Sequence, residues 1–577
     1  MVKITKPIFL LVIIFIFYAW TTTAGTFAFQ YSDYDGNHSR YYNLLTDAFL
    51  VHQLHLPVVP DPRLLSLADP YDPAANWPYK LHDCSLYKGK YFLYFGPTPV
   101  VFLYLPYRLI TGNRLPDTIA VLIFALGTLI WATALLYHLW HNYFRKLPEW
   151  MVLLSVVTLG FANMCPFILQ RTEIYEVAIS SGLFFLTGGI YWLCRGASKD
   201  KYNLWMLMLG SAFLGIAIGG RPQIILSGIL LPIVLIKIFN SPYIQDLKKR
   251  LFITLSLAVP YGVCLILLGA YNYFRFDDPL QFGNKYQTGV ANLKTLNYFS
   301  FENAISGIYF YLFRSPIINS NFPFFWVEGV LVPSSVPIPT QYFSELITGV
   351  FPGVIILLIF IIAPFTFWIK MITSCKSICF KDKVIFNSII GLVLIPVSLI
   401  FLNMIFDSNK SPGLLLFFEK GIENVLSLPM IASILTINII FWIFKMPVNC
   451  KIECQRNEPF PTFEFLLILI PPCLNLVTLI IIPFATMRYL ADVVTLLILA
   501  SLMVWFYFDL QLANTTKTRK LLQIIGVFLT VISIYSGFAY SITGIYGGLK
   551  TTNPAEYEKI KSFFEPISEL LKYNFKI

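Results

Sequence analysis

Apolar runs of about twenty residues recur along almost the whole chain, and no other feature limits the fold so tightly. A helix needs roughly 20 predominantly apolar residues to cross the hydrocarbon core of a bilayer. Thirteen runs of that kind fall at 7–28, 116–140, 150–169, 173–194, 203–219, 223–240, 251–273, 346–369, 384–406, 425–444, 463–486, 490–509 and 521–545. The pattern predicts an all-α polytopic membrane protein with about thirteen transmembrane helices, because helices satisfy their own backbone groups in lipid. Composition agrees: 57% of the residues are hydrophobic and 13% charged, against about 25% charged in soluble domains.

Charge sets the orientation. The formal net charge is +11, which by itself suits a nucleic-acid partner. The basic residues, however, cluster in connections: Lys3/Lys6, Arg145/Lys146, Arg195/Lys199/Lys201, Lys248/Lys249/Arg250, Lys376/Lys381/Lys383, Lys445/Lys451/Arg456 and Lys517/Arg519/Lys520. Topology therefore explains them, and no nucleic-acid partner is expected. One further apolar stretch, 95–112, is short and broken by Pro97, Pro99 and Pro106. If it does not cross, every basic cluster lies in an alternate connection, on the cytoplasmic side. It is read as a helix in the outer interface.

The N terminus is then cytoplasmic, and the first helix, 1–28, is read as uncleaved, a cleaved signal peptide being the alternative. The chain divides into that helix, a long first extracytoplasmic loop (29–115), helices 2–7 (116–273), a long fourth extracytoplasmic loop (274–345), helices 8–13 (346–545) and an extracytoplasmic tail (546–577). Both long loops are expected to contain interfacial helices. The cysteine pairs Cys375/Cys379 and Cys450/Cys454 sit in basic loops and are read as reduced thiols, with zinc as the alternative.

The spans carry few ionisable residues in their central parts, whereas ion-coupled transporters need such groups near the midplane. The carboxylates stand at outer helix ends, which points to chemistry at the external membrane surface. In "YSDYDGNHSRYYNLLTDAF" the acids are Asp33, Asp35 and Asp47. Tyr41, Leu44, Leu45, Ala48 and Phe49 follow at helical spacing, predicting an amphipathic helix lying on the membrane. Downstream, Asp83 precedes Lys88-Gly89-Lys90, which reads as a turn between short strands. In "QRTEIYEVAIS", Arg171 precedes a helix with Thr172 as its expected N-cap, and Glu173 and Glu176 share a face. Arg221 in "GGRPQ" and Arg488, Tyr489 and Asp492 in "RYLAD" stand at helix boundaries. Such arginines either snorkel or bind phosphate through their planar fork. The fourth loop adds Arg275, Asp277, Asp278 and Lys285 among aromatics that suit sugar stacking or an interfacial belt.

These features together resemble the GT-C superfamily of membrane glycosyltransferases, which includes protein O-mannosyltransferases, the lipid A aminoarabinose transferase and oligosaccharyltransferases. "DYDGNHSRYYNLL" resembles the family's catalytic aspartate ahead of an Arg-Tyr helix. The phrases "YKGKYFLYFGPTP", "RTEIYE", "YNYFRFDDPLQFGNKY" and "RYLAD" resemble poorly characterised bacterial membrane proteins near that superfamily. The resemblance implies a bacterial cytoplasmic-membrane enzyme with an extracytoplasmic site. It would move a sugar from a polyprenyl-phosphate carrier to a lipid, glycan or protein acceptor. Asp35 would be the base, with Asp33 and Asp47 as alternatives, and Glu173 or Glu176 would be the second-loop acid. Arg171, Arg221, Arg488 and Tyr489 would hold the phosphate; Asp83, Arg275 and Lys285 would touch substrate. Gly96-Pro97-Thr98-Pro99 corresponds to a phosphate-contacting K-P-P-like stretch but lacks its lysine. A divalent cation, Mg²⁺ or Mn²⁺, is an alternative to charge neutralisation by arginine. The rival classes are a polysaccharide polymerase or ligase using diphosphate-linked oligosaccharide, a transporter or flippase, and a catalytically dead scaffold.

Overall fold

A computed structural model describes residues 5–29, 41–198, 202–241, 244–327, 332–333, 336–374, 460–513 and 515–575. The expected spans 384–406 and 425–444, together with Asp33 and Asp35, lie outside the described residues.

The described chain is mostly helical. Its helices are α1 (Thr5–Thr22), α2 (Tyr41–Leu50), α3 (Val100–Thr111), α4 (Asp117–Tyr143), α5 (Glu149–Ile168), α6 (Ile174–Gly196), α7 (Leu204–Ile218), α8 (Pro222–Phe239), α9 (Leu247–Phe276), α10 (Ile359–Ser374), α11 (Thr462–Ile481), α12 (Ala491–Gln511), α13 (Thr516–Thr543) and α14 (Pro554–Phe575). Eight helical stretches among the described residues are long and apolar enough to cross a membrane. The runs at 7–28 and 203–219 form shorter apolar helices. The run at 346–369 is broken: Val350–Gly353 and a 3-10 turn at Ile355–Leu358 precede α10. Pro352 and Gly353 account for the break.

Burial separates a core from a periphery. In the most apolar windows of α6 and of Met487–Gln511, 89% of residues are buried, against 22% in α9. Small residues let α6 and α7 approach closely. A Cβ on Gly189 would press on Leu214 and the Gly210 carbonyl, and one on Gly210 would press on Leu193.

The two long loops knit together. Strands β1 (Ser85–Tyr87) and β2 (Lys90–Phe92) form the predicted hairpin, with Tyr87 opposite Lys90. Lys88 and Gly89 both have positive φ, 47° and 71°, as a two-residue type I′ turn requires. Thr288 N–H donates to the Cys84 carbonyl at 2.9 Å and Asp83 N–H to the Thr288 carbonyl at 3.2 Å. Ser85 Oγ donates to the Gly283 carbonyl at 2.9 Å. At the surface Lys88 Nζ lies 2.7 Å from Asp277. A second junction is parallel: β5 (Phe343–Ser344) pairs with β6 (Phe484–Ala485), beyond the small antiparallel pair β3 (Ile317–Ile318) and β4 (Phe325–Trp326).

One expectation is corrected. Helix α2 does not lie with a polar face in water. Tyr41, Tyr42, Leu45 and Ala48 are buried, and so are Asn43 and Thr46. Both of these polar groups are satisfied internally: Asn43 Nδ2 donates to the Leu115 carbonyl at 2.9 Å and Thr46 Oγ1 to the Tyr42 carbonyl at 2.7 Å. The helix packs beneath α3, where a residue whose polar atoms bond locally is as acceptable as an apolar one.

Candidate functional site

Arginines from three separate connections meet at one end of the bundle. Arg221 enters on the turn between α7 and α8, and glycines make room for it. A Cβ on Gly182 would press on the Arg221 stem, and one on Gly220 on Ser181 and the Gly182 backbone. The Gly96–Pro99 segment locks the same turn: Thr98 N–H donates to the Gly219 carbonyl at 3.3 Å, and Thr98 Oγ1 to the Ile216 carbonyl at 2.7 Å. Arg221 grips one oxygen of Asp492, at the start of α12, with Nε at 3.0 Å and Nη2 at 2.8 Å. Gln223 donates to that same oxygen at 3.0 Å.

Arg488 lies on the turn before α12. Its Nη2 donates to one oxygen of Glu345 at 3.2 Å, and Nη1 lies 2.9 Å from the other as an ion pair. The β5–β6 pairing delivers that glutamate, whose N–H donates to the Ala485 carbonyl at 2.8 Å. Arg171 pairs with Glu173 at 2.6 Å. Two tyrosine rings join the three guanidiniums. Tyr489 lies 4.9 Å from Arg221 and 5.8 Å from Arg488, and Tyr175 lies 4.5 Å from Arg488 and 5.9 Å from Arg171. Cation–π contact in a desolvated setting holds each guanidinium plane in place.

The second-loop glutamates differ from expectation. The N-cap of α6 is Glu173, not Thr172, and Glu173 and Glu176 form a reciprocal capping box. Such a box satisfies two orphan N–H groups at once, which a lone threonine cannot do. Glu176 is fully buried. One of its oxygens accepts the Glu173 N–H at 3.1 Å, while Oε1 has no protein partner.

Beside them stands an acid that the sequence reading did not single out. Asp117, at the start of α4, is buried and accepts the Tyr104 hydroxyl at 2.5 Å. Glu173 and Glu176 lie within electrostatic range of it. Tyr42 stacks on Tyr104 with ring centroids 5.6 Å apart. Asp117 Oδ2, Asp492 Oδ1, Arg488 Nε and the Tyr42 hydroxyl are buried without a hydrogen-bond partner in the protein. An unpartnered buried polar group is costly, by about 1–3 kcal/mol. Several at one place mark a surface built for something more than packing.

The first loop reaches this cluster through its hairpin. Phe95 meets Tyr175 edge-on at 6.0 Å. His82, half-buried, is held low, at about 4, by burial and by Lys80, with Glu173 opposing. Its Nε2 is 3.7 Å from Asp83, which also accepts from Gln287 at 3.1 Å. Tyr41, at the start of α2, donates to the His82 carbonyl at 2.5 Å.

Other candidates go elsewhere. Asp47 pairs with Arg114 at 2.5 Å and Arg108 at 3.9 Å, around the α3–α4 connection. Arg275 is buried and spends its terminal nitrogens on the Leu93 carbonyl and Asn272, at 2.5 Å and 2.6 Å. It is a strut between the two long loops. Lys285 is exposed. Among the described residues no group of three His, Cys, Asp or Glu side chains is placed to hold a metal ion.

Glu345 and Asp117 are not legible as site residues in the sequence. Each is one acid at a helix or loop boundary, and its partner is unreadable without the tertiary pairing. A scan against protein-family models found no match to the chain, and searches of curated proteins and of solved structures found none either.

Proposed function

We propose that this chain is an integral-membrane glycosyltransferase of the GT-C type, acting at the extracytoplasmic face of a bacterial cytoplasmic membrane. It would take a sugar from a polyprenyl-phosphate carrier to an acceptor hydroxyl or amine. The observation that carries this reading is the set of three arginines, Arg171, Arg221 and Arg488, joined by Tyr175 and Tyr489 at one end of an apolar bundle. A phosphate on a lipid tail would meet such an end of an apolar bundle, and fixed guanidiniums suit an oxyanion.

In the reaction the acceptor atom attacks the anomeric carbon and the bond from that carbon to the phosphate oxygen breaks. A carboxylate takes the acceptor's proton, and the phosphate leaves with the electron pair. Asp35 is the proposed base. Preorganised arginines stabilise the charge gathering on the leaving phosphate without moving to meet it. The buried carboxylate oxygens of Asp117, Glu176 and Asp492 are acceptors suited to sugar or acceptor hydroxyls.

The test is mass spectrometry of envelope glycolipids and glycoproteins from wild type, a deletion strain, and the deletion complemented with wild type or Asp35→Asn. The expected result is a defined sugar mass lost on deletion, restored by wild type and not by Asp35→Asn. Altered glycan chain length without loss of a sugar would favour a polymerase or ligase. An unchanged glycan profile would overturn the transferase reading in favour of a transporter or scaffold.

A further inference from the structure

The C-terminal helix α14 has three distinct faces rather than two. Tyr557, Ile560, Phe564 and Leu571 belong to a small apolar cluster with Phe322, Phe324, Tyr535 and Phe538. Asn553, just before the helix, donates to the Ala24 carbonyl at 2.8 Å, so the tail is also tied to the end of α1. At about 100° per residue, these side chains define a face turned to the bundle. A second face carries Glu558, Lys561, Glu565, Glu569 and Lys572, with i,i+3 pairs Lys561–Glu558 at 2.8 Å and Lys572–Glu569 at 2.9 Å. The third side begins with the Lys559–Glu556 pair, 3.5 Å apart, and from there to the end of the helix holds Phe563, Ile567, Leu570 and Tyr573, which are 78%, 45%, 59% and 84% exposed. Their spacing of four, three and three residues puts them on one broad stripe, with Phe563, Ile567 and Leu570 on the side away from the charged face and Tyr573 at its border.

Two neighbouring helices indicate what covers that stripe. On α13 the exposed residues Leu521, Ile524, Phe528 and Val531 form a continuous apolar stripe. Continued by one turn it reaches Tyr535 and Phe538, which pack against the α14 cluster. On α1 the exposed Phe9, Ile13 and Ile16 lead in the same way to Trp20, whose indole N–H donates to Glu556 of α14 at 3.4 Å. Helix α13 belongs to a stretch long and apolar enough to cross a membrane and α1 is a shorter apolar helix, and exposed apolar stripes on such helices suit acyl chains. Helix α14 thus sits where two acyl-facing surfaces end, with an apolar face and a charged face on opposite sides.

We propose that α14 lies in the membrane plane and docks its Phe563–Ile567–Leu570–Tyr573 stripe into the boundary between lipid headgroups and acyl chains. The bundle covers its second side and water its third. Apolar burial of this kind, with charges turned to solvent, is how interfacial helices bind bilayers. The inference does not depend on the transferase reading.

The experiment places the photo-reactive residue p-benzoylphenylalanine at Phe563, Leu570 or Glu565 of the full chain. Each variant is reconstituted in nanodiscs of phosphatidylethanolamine and phosphatidylglycerol, and adducts are identified by mass spectrometry. Lipid adducts at 563 and 570, and their loss at 565, are expected. Adducts joining 563 or 570 to a second protein chain, or equal lipid labelling at all three sites, would overturn the proposal. Should a variant fail to assemble, carbene footprinting of the wild-type chain with lipid-soluble and water-soluble diazirines asks the same question. The lipid-soluble reagent should mark 563–573 preferentially on the apolar stripe, and preference for the water-soluble one there would overturn it.

Discussion

Helix α12 carries a buried aspartate near each end, and the two are treated differently. Near its last turn Asp509 is fully buried, and both oxygens are used. Arg519 donates to one at 3.0 Å and 2.7 Å, and Gln523 to the other at 2.7 Å. In the first turn Asp492 is also buried, yet three donors crowd onto Oδ2 while Oδ1 has no partner. The helix is the same and the ion pair is the same. The difference is saturation. A saturated buried pair can only hold the structure together, and even then it often does little more than repay its own desolvation. An unsaturated one keeps capacity for a ligand group. Glu176, Asp117 and Arg488 repeat the unsaturated pattern at the Asp492 end.

Substitutions at the two ends should therefore fail in different ways. The largest effect is expected at Arg221→Ala. Loss of a preorganised guanidinium should lower transfer by on the order of 1,000-fold. Arg221→Lys keeps a counter-charge for Asp492 but not the fork, and should recover assembly on size-exclusion without recovering activity. Asp509→Ala should do the reverse. Leaving the partly exposed Arg519 without its partner should cost about 3 kcal/mol, seen as a lower melting temperature. Transfer per folded molecule should be unchanged, and equal activity losses at the two ends would break the comparison.

Tyr104→Phe removes the hydroxyl that Asp117 accepts and should destabilise by about 1 kcal/mol, the typical net worth of a buried intramolecular hydrogen bond. Chemical denaturation in lipid micelles checks it. The smallest effect concerns His82. Its folded pKa of about 4 lies below the value of about 6.5 for an unperturbed histidine. Between those values the unfolded chain binds the proton better, so His82 contributes stability that is present above about pH 6.5 and lost as pH falls toward 4. Melting temperature should fall across that window, and less steeply in His82→Gln.

Much of this layout is legible in the chain itself, for physical reasons. Span-length apolar runs fix most of the helices, and the Lys88–Gly89 turn follows from local backbone preference. Arg171, Arg221 and Arg488 stand out because a cation at the end of an apolar run is conspicuous. What stayed hidden depends on distant pairing. Nothing in "QYFSELITG" announces that Glu345 meets Arg488, since the parallel β5–β6 contact that unites them is two residues long. The sequence favours Thr172 as the cap of α6 because threonine is the better intrinsic N-cap, whereas in the fold Glu173 gains a reciprocal partner in Glu176. The burial of the polar side of α2 is not legible because Asn43 and Thr46 look like water-facing residues until their bonds to backbone carbonyls are known.

The central claim is that the Arg171–Arg221–Arg488 end takes a lipid-linked phosphate and the Arg519 end does not. Its most direct test is the thermal stability of the purified chain with and without undecaprenyl phosphate, for wild type, Arg221→Ala and Arg519→Ala. A ligand that binds only the folded state raises its melting temperature. The account predicts stabilisation of wild type and Arg519→Ala, and none of Arg221→Ala. Stabilisation that persists in Arg221→Ala, or is absent from wild type, would contradict it.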